Sequence, residues 1–286
     1  MSSYRFCRSD DIGLLVDALN RCWSPYFPDE PPMTPAAFKR SIRDLQVWCS
    51  SCMVAFAGSD PIGVLIGAKR PSGTLIHKIA VHPDHRRQGH GRHLLTSLSS
   101  KLAILGPPRM IAEVPETFAA TVALFDACGY VQEAFLTDYV FDRPALSDGG
   151  NVARVDGFVI PVTVDDLAAN DLLGEADQQM CWERSVETLT ARKDEITGLA
   201  VASDERIEAY LLYVDRGLEE TEILSLRTFV EDGGARLKQL ISQLRSRGMV
   251  RFPKVHPAEI SKSLLETLGF RPAGGHLLYA AKARSD

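Results

Sequence analysis

His85-Arg86-Arg87-Gln88-Gly89-His90-Gly91-Arg92 stands between an apolar, strand-like run, Leu75 to Val81, and a helix-like run, His93 to Leu105. Two glycines one residue apart let the main chain approach a ligand closely and take up positive φ, so that successive N–H groups turn inward. The same N–H groups open the first turn of the helix, whose unpaired donors and dipole favour an anion. Arg86, Arg87 and Arg92 add positive charge there. The stretch reads as an anion-binding loop; a basic strand-to-helix turn with glycines placed for backbone reasons shares its local pattern. Spacing removes two other loop types. A dinucleotide fingerprint needs a third glycine in register after Gly91, and a P-loop needs Gly-Lys-Ser/Thr; the chain has neither.

The surroundings of the loop add further signals. Arg86-x-x-Gly89-x-Gly91 is preceded by Val81-His82-Pro83, followed by a short strand ending Ala112-Glu113-Val114, and then by Leu124-Phe125-Asp126-Ala127-Cys128-Gly129-Tyr130. In this order the segments resemble the R/Q-x-x-G-x-G/A loop, the V-x-P strand end, the L-E-V strand and the helix ending in Gly-aromatic of the GNAT acetyltransferases, over roughly residues 50 to 141. The resemblance implies a mixed α/β fold with acetyl-CoA as cosubstrate and no metal. It also implies a pyrophosphate on the amides of Gln88, Gly89, His90, Gly91 and Arg92, with Arg86 and Arg87 beside it. The pantetheine arm would lie along Ile79, Ala80 and Val81 like an added strand. By the same resemblance, Phe125 stands at the family's tyrosine position, and Phe118 or a neighbour at the position of its asparagine, against the cofactor.

Composition bounds the rest. At 286 residues with 45% hydrophobic content, the chain is long enough for two cores, and a net charge of −5 supplies no general field for nucleic acid. Met1 to Asp11 is charged where a signal peptide is apolar, and no run approaches the roughly 20 residues of a membrane span. A cytoplasmic protein, monomeric or homodimeric, with no nucleic-acid or membrane partner is expected. The six cysteines are scattered and read as reduced. Cys49-x-x-Cys52 lies at a strand start without a second pair to complete a zinc site. His82-x-x-His85 and His90-x-x-His93 flank the loop, where imidazoles line a ligand or face solvent.

Along the chain, Tyr4 to Arg8 reads as a strand, Asp10 or Asp11 as the cap of a helix running to Trp23, and Thr34 as the start of a second helix. Strands follow at 46 to 57 and 61 to 70, joined at Gly58-Ser59-Asp60-Pro61. Beyond the loop, its helix and the strand Arg109 to Val114 come a helix from Pro115 to Cys128 and strands at Val131 to Phe135 and Asp138 to Phe141. Pro144 to Asp156 then reads as a linker. After it the pattern returns. Arg8-Ser9-Asp10-Asp11-Ile12 is echoed by Thr163-Val164-Asp165-Asp166-Leu167, and Val54 to Ala57 before Ile62 by Leu199 to Ala202 before Ile207, a spacing of 207 − 62 = 145. Cys128-Gly129-Tyr130 returns as Leu268-Gly269-Phe270, at 269 − 129 = 140. Similar spacings at separated places indicate a duplicated domain. The expected architecture is two tandem GNAT-like α/β domains, 1–143 and 157–286, each a mixed, mostly antiparallel sheet flanked by helices, joined by the linker 144–156. The second copy carries Glu231-Asp232-Gly233-Gly234-Ala235-Arg236 in place of the basic loop, and acids there oppose an anion.

For acetyl transfer by direct attack, Glu113 is the first base candidate and His77, two residues before Ile79, the second. An N–H near Ile79 to Val81 would serve the oxyanion. Phe125 cannot protonate a leaving thiolate, and Tyr139 or Tyr130 would have to substitute. The resemblance places the segment Trp23 to Pro32 over the acceptor site, where its aromatics and acids suit an amine of a small molecule or peptide; the same proline-rich composition equally suits a loop packed between domains. Two functions remain: an acetyl-CoA-dependent N-acetyltransferase, or a non-catalytic acyl-CoA-binding or scaffold protein of the same fold.

Overall fold

The computed structural model describes residues 2–142, 157–174, 180–217, 220–244 and 248–284; the expected linker, 144–156, lies outside them. The first repeat runs β1 (Ser2–Phe6), α1 (Ile12–Cys22), α2 (Pro35–Leu45), β2 (Met53–Ala57), β3 (Asp60–Arg70), β4 (Gly73–Val81), α3 (His90–Leu105), β5 (Arg109–Pro115), α4 (Ala119–Ala127), β6 (Val131–Asp142). The second runs β7 (Phe158–Val162), α5 (Val164–Ala169), α6 (Val186–Ala191), β8 (Thr197–Ala202), β9 (Ile207–Asp215), β10 (Glu220–Thr228), α7 (Ala235–Ser242), β11 (Met249–Val255), α8 (Lys262–Thr267), β12 (Arg271–Lys282). The order of strands and helices is the same in both. Each is a mixed sheet: β4–β5 and β10–β11 are parallel, whereas β1–β2, β2–β3, β3–β4 and, in the second repeat, β7–β8, β8–β9 and β9–β10 are antiparallel.

Local chemistry sets the boundaries. Thr34 caps α2 by accepting from the Ala37 N–H, and Thr163 caps α5 in a reciprocal box with Asp166. Asp11 precedes α1 but turns its carboxylate to the Arg8 N–H and to Arg5 instead of capping. Several expected boundaries move, the first strand among them, at Ser2–Phe6 instead of Tyr4 to Arg8. The second strand starts at Met53, because 46–52 turns away from Gln46 in the left-handed region (φ 58°) and forms a single 3-10 turn, Cys49–Ser51. Helix α3 starts at His90, three residues early, since Gly89 at φ 85° delivers the chain straight into it. Helix α4 starts at Ala119, because Pro115 still belongs to β5. Finally, 131–142 is one strand, with no glycine or proline to interrupt it.

Two compact units emerge: residues 1–133 with 277–286, and residues 134–276. They differ from the sequential division 1–143 and 157–286 at the last strand of each repeat. Strand β6 pairs along β11 from Thr137 to Asp142, inside the second unit. The end of β12 completes the first. The first unit's strand order is β1-β2-β3-β4-β5-β12 and the second's is β6-β11-β10-β9-β8-β7. In the first core, Leu94, Leu95, Leu98 and Leu102 of α3 pack with Ile76, Met110, Phe125, Tyr130, Tyr279 and Ala283. Tyr279 stacks on Phe125 at 5.8 Å and donates its hydroxyl hydrogen to Asp126 at 2.9 Å. The second unit packs Leu237, Leu240 and Leu265 on one face of its sheet and Val164, Leu167 and Leu189 on the other.

Tyr279→Ala should therefore destabilise the first unit by about 3–5 kcal/mol, as loss of a buried aromatic does, whereas Tyr279→Phe should cost only about 0.5–1.5 kcal/mol for the hydrogen bond. Urea unfolding followed by fluorescence measures both. Equal, small losses would show that the C-terminal strand does not complete this core.

Candidate functional site

The site is built on an interruption in β4. Strands β3 and β4 pair Ile66 with Lys78 and then Gly67 with Ile76, so that His77 is the extra residue of a β-bulge. Such a bulge bends the strand and re-aims the residues beyond it. On its other side β4 pairs with β5 only at Thr74–Met110 and Leu75–Ile111. Past the bulge the two parallel strands diverge into a wedge.

Main-chain groups line one wall of this wedge. The His82 N–H donates to the Ile62 carbonyl at 2.9 Å, in register with Gly63–Val81 and Val64–Ala80. Antiparallel pairs alternate between hydrogen-bonded and non-bonded, so Ala80 faces β3 while Ile79 and Val81 turn N–H and C=O into the wedge. Beyond its mouth comes α3, whose first amides belong to His90, Gly91 and Arg92 behind Gly89 at φ 85°. Arg86, Arg87, Gln88, Gly89 and Arg92 are exposed around it. Gly91 has a packing role as well, since a Cβ there would stand 3.0 Å from Leu124 Cδ2.

Residues 14–130, which contain the wedge and the loop, match the model of the Acetyltransferase (GNAT) family. This stretch is a GNAT acetyltransferase domain. Over 64 residues, 22% of its length, the chain is 36% identical to [Ribosomal protein bS18]-alanine N-acetyltransferase of Escherichia coli strain K12; it spans 43% of that relative. Across all of both chains it is similar to a tandem GNAT protein from the clavulanic acid biosynthesis pathway, with a TM-score of 0.66 at 16% identity. It is also similar to a GCN5-related N-acetyltransferase from Sphaerobacter thermophilus, covering 99% of this chain and 96% of that one, with a TM-score of 0.67 at 14% identity. The fold of the whole chain is that of tandem GNAT proteins.

Within the GNAT domain, the expected residues separate. Glu113 stands on the face of β5 opposite the buried Met110, Ala112 and Val114, half-buried. His77 is the bulged residue, so the alternation that put it on the face of Ile79 does not carry across. His90 contributes an amide, but its ring is not against a ligand or solvent: it is 5% exposed, with Nδ1 2.7 Å from the Tyr4 hydroxyl. Burial, followed by the neighbouring His85 and His93, lowers its pKa. Phe125 is 1% exposed, in the core, with Tyr130 edge-on at 4.9 Å. Phe118, just before α4, is half-buried against Phe27 at 5.4 Å. Tyr139 is displaced altogether: because β6 pairs with β11, its ring packs in the second unit's core. Cys52 is fully buried, and desolvation pushes its thiol up, which suits a structural role.

Tyr26 was read only as part of an aromatic loop, and its position is the principal addition. Its hydroxyl donates to the Val81 carbonyl at 2.5 Å and accepts from Arg86 Nε at 2.5 Å, while the guanidinium lies 4.3 Å from its ring. It occupies a wedge-facing main-chain acceptor. Beside it Trp23 stacks on Phe27 at 4.4 Å, with Lys78 Nζ 3.9 Å above the indole.

The second unit repeats this backbone with other chemistry. Leu224 takes the bulge, in register with His77 (224 − 77 = 147), and Pro253 stands where β5 has Glu113 (253 − 113 = 140). Gly234 at φ 84° opens α7 as Gly89 opens α3. Here the Asp232 carboxylate accepts from the Gly234 N–H at 2.9 Å, the Arg236 N–H at 3.0 Å and the Arg236 guanidinium at 3.0 Å. Its own anion fills the place a phosphate would take.

Burial opposes ionisation of Asp232, but the hydrogen bonds from Arg236 and Gly234 outweigh it and lower the carboxyl. A depressed pKa contributes stability above the unfolded-state value, near 3.9, that is lost as pH falls through the folded value. Asp232→Asn should thus be less stable than the parent at pH 7, with the difference shrinking below about pH 4. Thermal melts across pH 2.5–8 test this, and a difference independent of pH would contradict it.

Proposed function

We propose that the first unit transfers the acetyl group of acetyl-CoA to an amine of a small molecule or a peptide by direct attack. The observation that carries this is the wedge: a strand edge at Ile79 and Val81 turned toward a gap, ending at a helix N-terminus approached through a left-handed glycine. An extended arm with two amides fits the edge as an added strand, and a pyrophosphate fits the amides of Gln88 to Arg92 with Arg86, Arg87 and Arg92 around them. Acetyl-CoA supplies an activated acetyl thioester. Glu113 takes the proton of the attacking amine, directly or through water, with His77 as the second candidate. An N–H of Ile79 to Val81 holds the developing oxyanion. Phe125 has no proton to give, so the thiolate is protonated from water or another group.

The amine class rests on the segment above the wedge, where Trp23, Phe27 and Phe118 offer an aromatic shelf and Glu30 accepts from the Trp23 indole at 3.1 Å. The peptide form of the acceptor also draws on the relative that acts on an alanine of ribosomal protein bS18. A second reading, acyl-CoA binding without turnover, is favoured by one observation: the buried, hydroxyl-free Phe125. Thiol release from acetyl-CoA against a panel of amines and peptides separates the two, because only a transferase turns over.

Gly89→Glu should abolish CoA affinity, since it places a side chain and a negative charge in the cradle. Nothing lies within 4 Å of its Cβ, so the fold persists apart from φ strain of about 1–2 kcal/mol. Gly233→Glu, equally open and equally left-handed, is the matched control and should leave affinity unaltered. Calorimetry showing full CoA affinity in Gly89→Glu would remove the loop from the site.

Glu113→Gln should reduce turnover by roughly 10²- to 10⁴-fold at unchanged acetyl-CoA affinity and remove the acidic limb of the pH profile. If Glu113→Gln keeps full activity and His77→Ala loses it, the base is the histidine. Tyr26→Phe should tighten acetyl-CoA binding by roughly 2- to 10-fold, because the hydroxyl that holds the Val81 carbonyl no longer has to be displaced. Weaker binding in Tyr26→Phe would mean that the hydroxyl assists the ligand instead.

A further inference from the structure

The second unit has a wedge of its own. Strand β10 pairs with β11 only from Glu220 to Glu222, and the bulge at Leu224 follows. The Phe229 N–H donates to the Glu208 carbonyl at 2.8 Å, which makes Thr228–Ala209 and Leu226–Leu211 non-bonded pairs and turns the main-chain groups of Leu226 and Thr228 away from β9. On that side lies a cleft of about 370 Å³, walled by 226–229, 258–261, Leu264 and Met180.

At the apex of this wedge the guanidinium of Arg184, buried, donates to the Leu224 carbonyl at 3.3 Å, to the Lys254 carbonyl at 3.0 Å and to both Glu259 oxygens at 2.7 and 2.5 Å. It ties the two diverging strands and the following loop together, and it fills the place beside the bulge where a reacting group would sit. The phosphate cradle is occupied by Asp232. The two positions that could move a proton are Leu224 and Pro253. Yet the strand edge survives, and Ala258, in register with Phe118 (258 − 118 = 140), leaves the mouth open where the first unit carries an aromatic ring.

We propose that this cleft binds an extended, amide-bearing chain that lacks phosphate groups, held along Leu226 and Thr228 as an added strand, so that the second unit is a binding module and not a transferase. The ligand's amides meet the main-chain edge, and its apolar segments meet Leu226, Phe229, Ile260 and Leu264. This rests on reading the first unit's wedge as a seat for a pantetheine arm.

Free pantetheine is the probe. In protein saturated with CoA, saturation-transfer NMR should still detect pantetheine binding, and Ala258→Trp should weaken it at least tenfold while melting at the parent temperature. Ala258→Phe, which copies the first unit, should act in the same direction. In Asp232→Ala, CoA should now compete for the same site. Pantetheine signal that disappears once CoA saturates, or that survives both Ala258 variants, would falsify the proposal. Failure of CoA to compete in Asp232→Ala would overturn the exclusion of phosphate. The same titration on Gly89→Glu protein reports the second site alone, so a first unit that binds no CoA does not decide the result.

Discussion

One extra residue in a central strand, His77 in the first repeat and Leu224 in the second, is the constraint from which both clefts follow. Without it β4 and β5 would stay paired, and every main-chain donor and acceptor along Ile79 to Val81 would be spent inside the sheet. With it the sheet keeps its core-facing pattern, Met110, Ala112 and Val114 inward on β5, while a gap opens at the strands' C-terminal ends. A gap between parallel strands leaves polar backbone with no partner in the ladder, which a protein must satisfy with side chains, water or ligand. In the first unit the Tyr26 hydroxyl meets the Val81 carbonyl; in the second, Arg184 meets the carbonyls of Leu224 and Lys254.

The two answers differ in how easily they can be undone. Tyr26 is a half-buried phenol at the end of a single 3-10 turn, Ser24–Tyr26, beside an exposed arginine, and displacing it costs about one hydrogen bond. Arg184 and Glu259 have side chains 1% and 0% exposed, and separating such a pair costs about 3–5 kcal/mol because it strands a buried charge. A similar contrast holds at the helix starts. The first turn of α3 follows a loop of exposed arginines, whereas the first amides of α7 are bound to a carboxylate from their own loop. Duplication preserved the backbone device, and substitution at a few side chains changed which parts are available to a ligand.

Most of the first unit could be read from the chain, because the loop's glycines, the alternation of the strands and the threonine that opens the helix at 34 are local. The duplication was legible for the same reason: Gly129 and Gly269 both adopt left-handed φ, 78° and 92°, after a helix and before a strand. What escaped depends on partners far along the chain. No local pattern reveals that His77 lies in a bulge, since the bulge is defined by β3, or that His90 turns inward to Tyr4, 86 residues away. Tyr139 alternates correctly within its strand and still belongs to the other core. A carboxylate at position 232 reads as repulsive to an anion by charge alone; only its geometry shows that it takes the anion's place.

The exchange of last strands has a consequence for how the chain is made. Residues 277–286, which complete the first core through Tyr279 and Ala283, are translated only after the whole of the second unit. Until then the first unit presents an unfilled sheet edge beside β5 and exposes the face of Phe125 that Tyr279 later covers, with 153 residues separating Asp126 from its hydroxyl partner. A domain that ordinarily folds as it leaves the ribosome is here obliged to wait, and contacts of such long range are slow to close. Closure of the first core is thereby tied to synthesis of the second unit, since its last strand follows that unit in the chain.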